Sequence, residues 1–570
     1  MGAFGGMKFG RRELALALAG GIVAFATPAL AQSAGDNSVS IGQTGDTNTI
    51  GIVQDGNRNV VGGPADGLPL GQDGRYNQIS ITQTGSGNSV DTNTRQGVRP
   101  SLGLVVTGTG QTGDRNEIDI IQETPLGGLA TTVIEAIRQE ASAAFAAAAA
   151  ASNRLVLRQT SLAGAQSVGQ VIQKNTVDRP GAGVTNLVSI TQDGAGTGAG
   201  NSLITALQEG FGNSAAVIQT QSGQRIETIN QVGSNNGATL EQSRGLDNTV
   251  LAIEQMGMAN QLRLLQSGSR NVVGKVMQNN DGVAIAGNEV TLTLAGRDNG
   301  GDGRGGLGAF ALLPAAWDGF QGWSLFQGLI SQIGDGNSVS YVTSDASSKN
   351  LYGIVQDGDG NGAIGTVSGT GNELALRQTG GDNNIDFRQD GTDNAAAADL
   401  RGERNQLRLV QSGAGNALLA SVGTEAIKGS DNSLSFDQSG SDNSARASVL
   451  GSLNRLSVTQ SGKDNQVDAA ITGSNNNAVG GTVFTGERLT SALGAKLQPG
   501  DISQSGSLNG VDLVLSGDLN AFAFSQKDQD NRIYAVIEGS GNQAVVTQAG
   551  SGNVASFSQH GKGNGLSIQQ

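Results

Sequence analysis

The chain has no cysteine, one histidine and only 4% aromatic residues over 570 positions. Without cysteine there are neither disulfides nor thiolate metal sites, so stability must come from packing and hydrogen bonds. The single histidine, His560, sits between Gln559 and Gly561 in a turn-like sequence, which leaves almost no room for a histidine-based catalytic triad. Hydrophobic residues make up 36% of the chain, below the roughly 45–50% usual for globular domains. Long apolar runs are missing beyond the amino terminus, so the sequence predicts no membrane span in the mature chain. Basic residues are outnumbered 35 to 49 and are scattered. No cluster of them could track a phosphate backbone, which argues against nucleic acid as a partner.

What fills the deficit is glycine, 90 residues of it, together with Gln, Asn, Ser and Thr. Such a composition is often disordered. Here the apolar residues alternate with a period of two, which disorder does not require. A phrase Gln-x-Gly-x-x-Asn recurs along the chain, often eleven residues apart, with some degenerate copies. Its Gln and Asn positions include Gln43 and Asn48, Gln54 and Asn59, Gln438 and Asn443, and Gln460 and Asn465. They continue at Gln504 and Asn509, Gln526 and Asn531, Gln548 and Asn553, and Gln559 and Asn564. A unit this short buries a face only when copies of it stack, which predicts a solenoid.

The last copies show the rule of the unit. Asn520, Phe522, Phe524 and Gln526 share one face of a strand; Ala521, Ala523 and Ser525 share the other. In steps of eleven from residue 504, the Gln slot reads Gln504, Leu515, Gln526, Ile537, Gln548, Gln559 and Gln570. An upstream stretch reads Ile427, Gln438, Val449, Gln460 and Ile471. Glutamine alternating with an aliphatic residue predicts an all-β β-solenoid with coils of about 22 residues, each made of two 11-residue strand–turn units. Stacked about 4.8 Å apart, identical amides can donate to one neighbour and accept from the other, forming ladders that fix register. These Gln and Asn residues are the candidate ladder. For Asn, next to Gly, simple turn capping is the competing explanation.

The chain divides accordingly. Residues 1–31 read as a cleaved signal peptide: Lys8, Arg11 and Arg12 precede an apolar run, and Ala29-Leu30-Ala31 forms the cleavage site. Repeats are expected over 32–124, 159–295, 332–480 and 504–570. Residues 125–158 are expected to be a helical insertion. Thr132-x-x-Glu135 looks like a capping box, and Val133, Ile134, Ile137, Ala141, Ala144 and Phe145 fall on one helical face. Residues 296–331 form a Gly-rich and aromatic insertion that holds both tryptophans. Trp317, Phe320, Trp323 and Phe326 are its candidate partner patch, or an anchor onto the solenoid flank. Residues 481–503 are a shorter insertion. Neither cofactor, metal nor catalytic residues are expected. The turn aspartates, among them Asp335, Asp357 and Asp359, lack the spacing of calcium-binding repeats.

The unit resembles the curlin repeat, the building block of curli, on the strength of cores such as Gln438–Asn443 and Gln460–Asn465 with their alternating aliphatics. The resemblance implies a secreted subunit that passes through outer-membrane export machinery. It also implies polymerisation with itself or other curlin-like subunits into an extracellular, pilus-like functional amyloid serving cell adhesion and biofilm matrix, with surfaces or matrix polysaccharide as further partners. The strand-like segment Asn37–Gln43 and the Gln slot at Gln570 lie next to the two ends. With no polar cap in the sequence there, open edges and end-to-end assembly are expected. The alternatives are a monomeric β-solenoid surface adhesin, a minor fibre-associated or nucleating protein, and a β-helix polysaccharide enzyme. The last would require a column of acidic and basic residues on an outer face, which the sequence does not show.

Overall fold

A computed structural model of the chain describes residues 7–9, 37–39, 41–44, 47–57, 59–61, 70–73, 76–86, 89–90, 110–112, 116–124, 132–141, 153–161, 165–176, 185–194, 199–280, 287–301, 327–477, 484 and 497–570. Among these residues every regular element is a β-strand. No helix among them is long and apolar enough to cross a membrane. The chain forms two compact units, Met1–Gly287 and Asn288–Gln570. Each contains two walls of parallel, in-register strands facing one another across a thin core.

In the first unit one wall stacks Thr49–Asn57, Gln78–Ser86, Asn116–Glu123, Asn153–Ser161, Asn186–Gly194, Ser214–Thr220, Gly237–Gln242 and Gln261–Gln266. Facing it are Thr132–Ala141, Gln166–Asn175, Ser202–Phe211, Arg225–Ser234, Thr249–Met258 and Val272–Asn279. This second wall is bulged. Its strands pair through Ile134, Val168, Leu203, Ile226, Val250 and Val273, skip the next residue, and resume pairing. One extra residue per strand is thereby absorbed at the same height in every coil, as stacked bulges. Met7–Phe9 lies antiparallel to Asn37–Val39, unlike the parallel pairings of the stack.

The bulge corrects one sequence expectation. Residues 132–141 form a strand paired with Gln166–Asn175, not a helix, and Asn153–Ser161 is the next strand of the opposite wall. The extra residue places two inward side chains, Ile134 and Ile137, three positions apart. That spacing imitates one turn of a helix. Thr132 is fully buried in the slot that Asn fills elsewhere, at the start of a strand and not of a helix. The alanine run at 142–150 lies outside the described residues.

In the second unit one wall runs from Glu289–Leu294 and Ser338–Thr343 through Gly362–Thr370, Asn384–Thr392, Gln406–Ala414, Ser433–Ser441, Arg455–Lys463, Asp501–Ser507, Ala521–Gln529 and Gln543–Ser551 to Gly565–Gln569. The other runs from Leu329–Ile333 and Leu351–Asp357 through Glu373–Thr379, Ala395–Glu403, Ala417–Val422, Ser444–Leu450, Gln466–Thr472, Gly510–Ser516 and Arg532–Ser540 to Val554–Lys562. Neither wall is bulged, and alternation is strict. In Arg455–Lys463, Leu456, Val458 and Gln460 are buried, while Arg455, Ser457 and Thr459 project outward.

Glycine suits the tight turns between coils, although Asp528 takes the same stacked slot with φ of +75°. Gly440 has φ of +104°, and a Cβ there would fall 2.0 Å from the carbonyl oxygen of Gly462 in the next coil. The loop after Val422 corrects a second detail. Val422, not Ile427, stacks on Val449 in the Gln slot, and Ile427 is 51% exposed. Five residues, 424–428, are added at this turn and shift the sequence count without shifting the stack.

Candidate functional site: columns of amides

The Gln side chains at the strand ends turn inward and hydrogen-bond from coil to coil. In the first unit the straight wall carries an unbroken column, Gln54, Gln83, Gln122, Gln159, Gln192, Gln219, Gln242 and Gln266. Each Nε2 donates to the next Oε1 at 2.8–2.9 Å. The bulged wall carries a second column, Gln139, Gln173, Gln208, Gln231, Gln255 and Gln278, at 2.7–3.0 Å. In the second unit Gln389, Gln411, Gln438, Gln460, Gln504, Gln526, Gln548 and Gln570 form a column at 2.8–3.0 Å. The facing wall has Gln332, Gln356 and Gln378. It then changes to a buried aliphatic stack of Leu400, Val422, Val449, Ile471, Leu515 and Ile537, and ends at Gln559.

The second N–H of each amide is also used. Gln438 Nε2 lies 3.0 Å from the Ala417 carbonyl on the facing wall and 3.2 Å from the Asn443 carbonyl. The Gln therefore ties coil to coil and wall to wall at once. Left without partners in a dry core, such an amide would cost about 1–3 kcal/mol.

Asparagine forms the complementary columns at the strand starts. Asn443 donates from its backbone N–H and its Nδ2 to Asn416 Oδ1, at 3.2 and 3.0 Å, and from Nδ2 to the Gly462 carbonyl at 3.1 Å. The same pattern recurs at Asn465, Asn509 and Asn531. From amide to amide the two kinds of column run in opposite senses: Gln donates to the Gln of a later coil, and Asn donates to the Asn of an earlier one.

The residues singled out in the sequence are placed as follows. Asn48 and Asn59 are buried, and each takes part in an inter-coil bond. Gln43 lies on the strand Ile41–Thr44, in register with Gln72. Gln438, Asn443, Gln460, Asn465, Gln504, Asn509, Gln526, Asn531 and Gln548 are all at most 2% exposed. Toward the last coil burial falls away: Gln559 is buried, Asn553 is half-buried, and Asn564 and Gln570 are exposed. Trp317, Phe320, Trp323 and Phe326 lie outside the described residues. His560 faces solvent between Ser558 and Glu538, 2.6 and 2.8 Å away. Among the described residues no cluster of His, Asp or Glu could hold a metal ion.

Some occupants of the columns have no signature in the repeat phrase. Thr132, Gln166 and Gln224 fill Asn slots. A column also has a cost at its start. Gln389 follows Val367 on its wall, and its buried Oε1 has no donor behind it; Gln559, which follows Ile537, is in the same position. Near the change of columns, the core holds Tyr341 and Tyr352 with ring centroids 4.5 Å apart, and Phe387 6.1 Å from Tyr341. Neither tyrosine hydroxyl has a hydrogen-bond partner. Burial drives both hydroxyls far above their ordinary ionisation range, and for Tyr352 the neighbouring Tyr341 adds to the effect. These hydroxyls stay neutral, and the cluster packs as apolar bulk.

On the outside, charges pair locally. Arg404 holds Asp431 through two bonds of 2.8 and 2.9 Å and lowers its carboxyl below the ordinary range. Such exposed pairs add little stability. Asp399 is different. It is 5% exposed, and burial raises its carboxyl, against the pull of Arg401, whose Nε lies 2.9 Å from Oδ2.

No curated protein matches the chain. A family model does match part of it, over residues 429–462. That stretch contains the strands Ser433–Ser441 and Ser444–Leu450, the rungs Gln438, Asn443 and Gln460, and the stacked glycines Gly440 and Gly462. The model is that of the Curlin associated repeat, and this chain carries that repeat.

Proposed function

We propose that the chain is a secreted structural subunit of curli-type extracellular fibres, acting in cell adhesion and biofilm matrix by stacking solenoid on solenoid. The observation that carries this reading is the self-complementarity of the coil. One side of each coil offers Gln donors and Asn acceptors, and the other offers the reverse, at the same positions. A coil therefore recognises another coil of the same kind through a fixed set of backbone and amide bonds. The Curlin associated repeat at 429–462 supports the same reading. Partners are then other copies or other curlin-like subunits, with outer-membrane machinery for export and the leader at residues 1–31 removed.

The test is electron microscopy and fibre diffraction of the protein secreted by its own cells. Unbranched fibres with reflections near 4.7–4.8 Å and about 10 Å are expected. A soluble rod that stays monomeric at high concentration would replace the fibre reading with that of a monomeric adhesin.

A further inference from the structure

The outer face of the second unit carries one cluster that the amide columns do not use. On Val554–Lys562, Ser556, Ser558 and His560 are exposed, while Ala555 and Gln559 point into the core. This strand stacks in register on Arg532–Ser540, which pairs Glu538 with His560 and Val536 with Ser558. The imidazole therefore lies between a hydroxyl from its own strand and a carboxylate from the preceding coil. Ser558 Oγ is 2.6 Å from His560 Nε2, and Glu538 Oε2 is 2.8 Å from Nδ1. One coil earlier the Glu538 position holds Ser516, and the chain has no second histidine. The cluster is thus an addition to the repeat and not part of it.

The two partners fix how the ring carries its proton. A carboxylate can only accept, so the neutral imidazole holds its hydrogen on Nδ1 and donates it to Glu538. Nε2 then keeps a lone pair, and the Ser558 hydroxyl donates to it. This is the order in which a general base activates a serine: carboxylate, imidazole, hydroxyl. A plain surface ion pair would contribute little stability, and it would require only that His560 meet Glu538. It gives no reason for Nε2 to be engaged with a hydroxyl. His560 and Glu538 are more than half exposed, and Ser558 is exposed as well. A small reagent can reach the oxygen directly, and on so open a face its reactivity matters more than its shape.

We propose that Ser558 is a nucleophile that accepts the acyl group of small activated esters, with His560 as its general base and Glu538 as a positioning residue. Ser558 Oγ attacks the ester carbonyl carbon as its proton passes to His560 Nε2. The bond from that carbon to the leaving oxygen then breaks, and the departing alcohol takes the proton from the ring. The products are acyl-Ser558 and the free alcohol. A water molecule, deprotonated by the same nitrogen, hydrolyses the acyl-serine to the acid and restores the hydroxyl.

The test is labelling of the full chain with a fluorophosphonate, which forms a stable bond from phosphorus to an activated serine oxygen and expels fluoride. Peptide mass spectrometry locates the adduct. Ser558 is labelled, and Ser556, exposed on the same strand, serves as the reference serine within each sample. His560→Gln slows labelling of Ser558 about 100-fold, whereas Ser556→Ala leaves it unchanged. Release of nitrophenolate from p-nitrophenyl acetate falls in step with the labelling. Glu538→Ala slows labelling several-fold and also moves the ring proton from Nδ1 toward Nε2. Nitrogen NMR of the isotope-labelled chain reads that change without overlap, because the chain has a single histidine. Far-ultraviolet circular dichroism keeps its β signal in every variant. Wild-type Ser558 labelled no faster than Ser556 would overturn the proposal, and that measurement needs no variant. Labelling that survives His560→Gln would overturn it as well, and a tautomer unmoved by Glu538→Ala would remove Glu538 from its role.

Discussion

The two units solve the same stacking problem with different cross-sections. In the first, successive rungs of the bulged wall's Gln column from Gln208 onward are 23 or 24 residues apart, and glutamine columns run on both walls. In the second, rungs are 22 residues apart where no insertion intervenes, and glutamine on one wall is matched by an aliphatic stack on the other. The comparison shows that an amide column tolerates an extra residue per coil, provided every coil adds it at the same height. It also shows that the slot accepts either glutamine or an aliphatic side chain, provided neighbouring coils agree. The exchange occurs in one step on both walls of the second unit, from Val367 to Gln389 and from Gln378 to Leu400. The requirement is on the column, and no single position is indispensable.

The largest effect should come from breaking that agreement in the regular unit. Inserting one residue into Ser444–Leu450 moves Val449 to the outer face relative to Val422 and Ile471. A one-residue slip reverses every following side chain, so hydrogen exchange should show loss of protection across this strand and its neighbours. Removing the bulge from one coil of the first unit, by deleting Ile204, should be nearly as damaging. That strand would then lack the offset that its neighbours at Val168 and Ile226 share. The same exchange experiment reads it, and unchanged protection would show that the bulges are passive.

A finer test separates column interiors from column starts. Gln438→Val leaves the donor of Gln411 and the acceptor of Gln460 unpaired, and should cost about 1–3 kcal/mol for each buried group orphaned. Gln389→Val only moves the start of the column to Gln411, because Gln389 Oε1 already lacks a donor. Its effect should be within about 0.5 kcal/mol, the range of unremarkable substitutions. Local exchange free energies of the two strands, measured side by side, check the ratio. Equal losses would mean that the amides act as packing and not as a ladder.

Leu453, Leu508 and Leu519 adopt φ of +60° in turns where Asp or Gly stands in other coils, and each is nearly half exposed. Replacing Leu508 with Asn should stabilise its turn by about 1 kcal/mol, since the left-handed backbone crowds Cβ against the following carbonyl oxygen and the short polar side chain of Asn offsets this with local hydrogen bonds. A higher denaturation midpoint is the readout. The smallest effect concerns pH. Burial raises the Asp399 carboxyl, so its folded value lies above the unfolded one. The stability it contributes is complete below the ordinary carboxylate range and is lost as pH rises through the raised value. Asp399→Asn should flatten that dependence in the exchange of Ala395–Glu403.

The fold was legible wherever the period was regular. The alternation in 504–570 gave the strands, the buried face and the 22-residue coil, because glutamine and aliphatic residues mark the two walls differently there. It was illegible at 132–141, where a bulge put Ile134 and Ile137 at helical spacing, and pairing with neighbouring strands outweighed local pattern. The site was half legible. The repeat phrase located the amides, but it could not give the direction in which each donates, which depends on carbonyls supplied by the facing wall. Ile427 was misassigned because an added loop shifts residue numbers and leaves the stack unmoved. Tyr341, Tyr352 and Asp399 left no signature, since nothing in a single strand reveals what lies across the core or over the outer face.

The opposed senses of the two amide columns make each unit a one-way object. If two copies met tail to tail, every glutamine would confront another hydrogen where it needs a lone pair, and every asparagine would confront the converse. Copies joined in a line must therefore all point the same way, and the resulting filament has a leading and a trailing tip that differ chemically. In the fibre proposed above, the two tips would offer different partners to an incoming copy, and anchoring one of them at the cell would leave the other as the growing end.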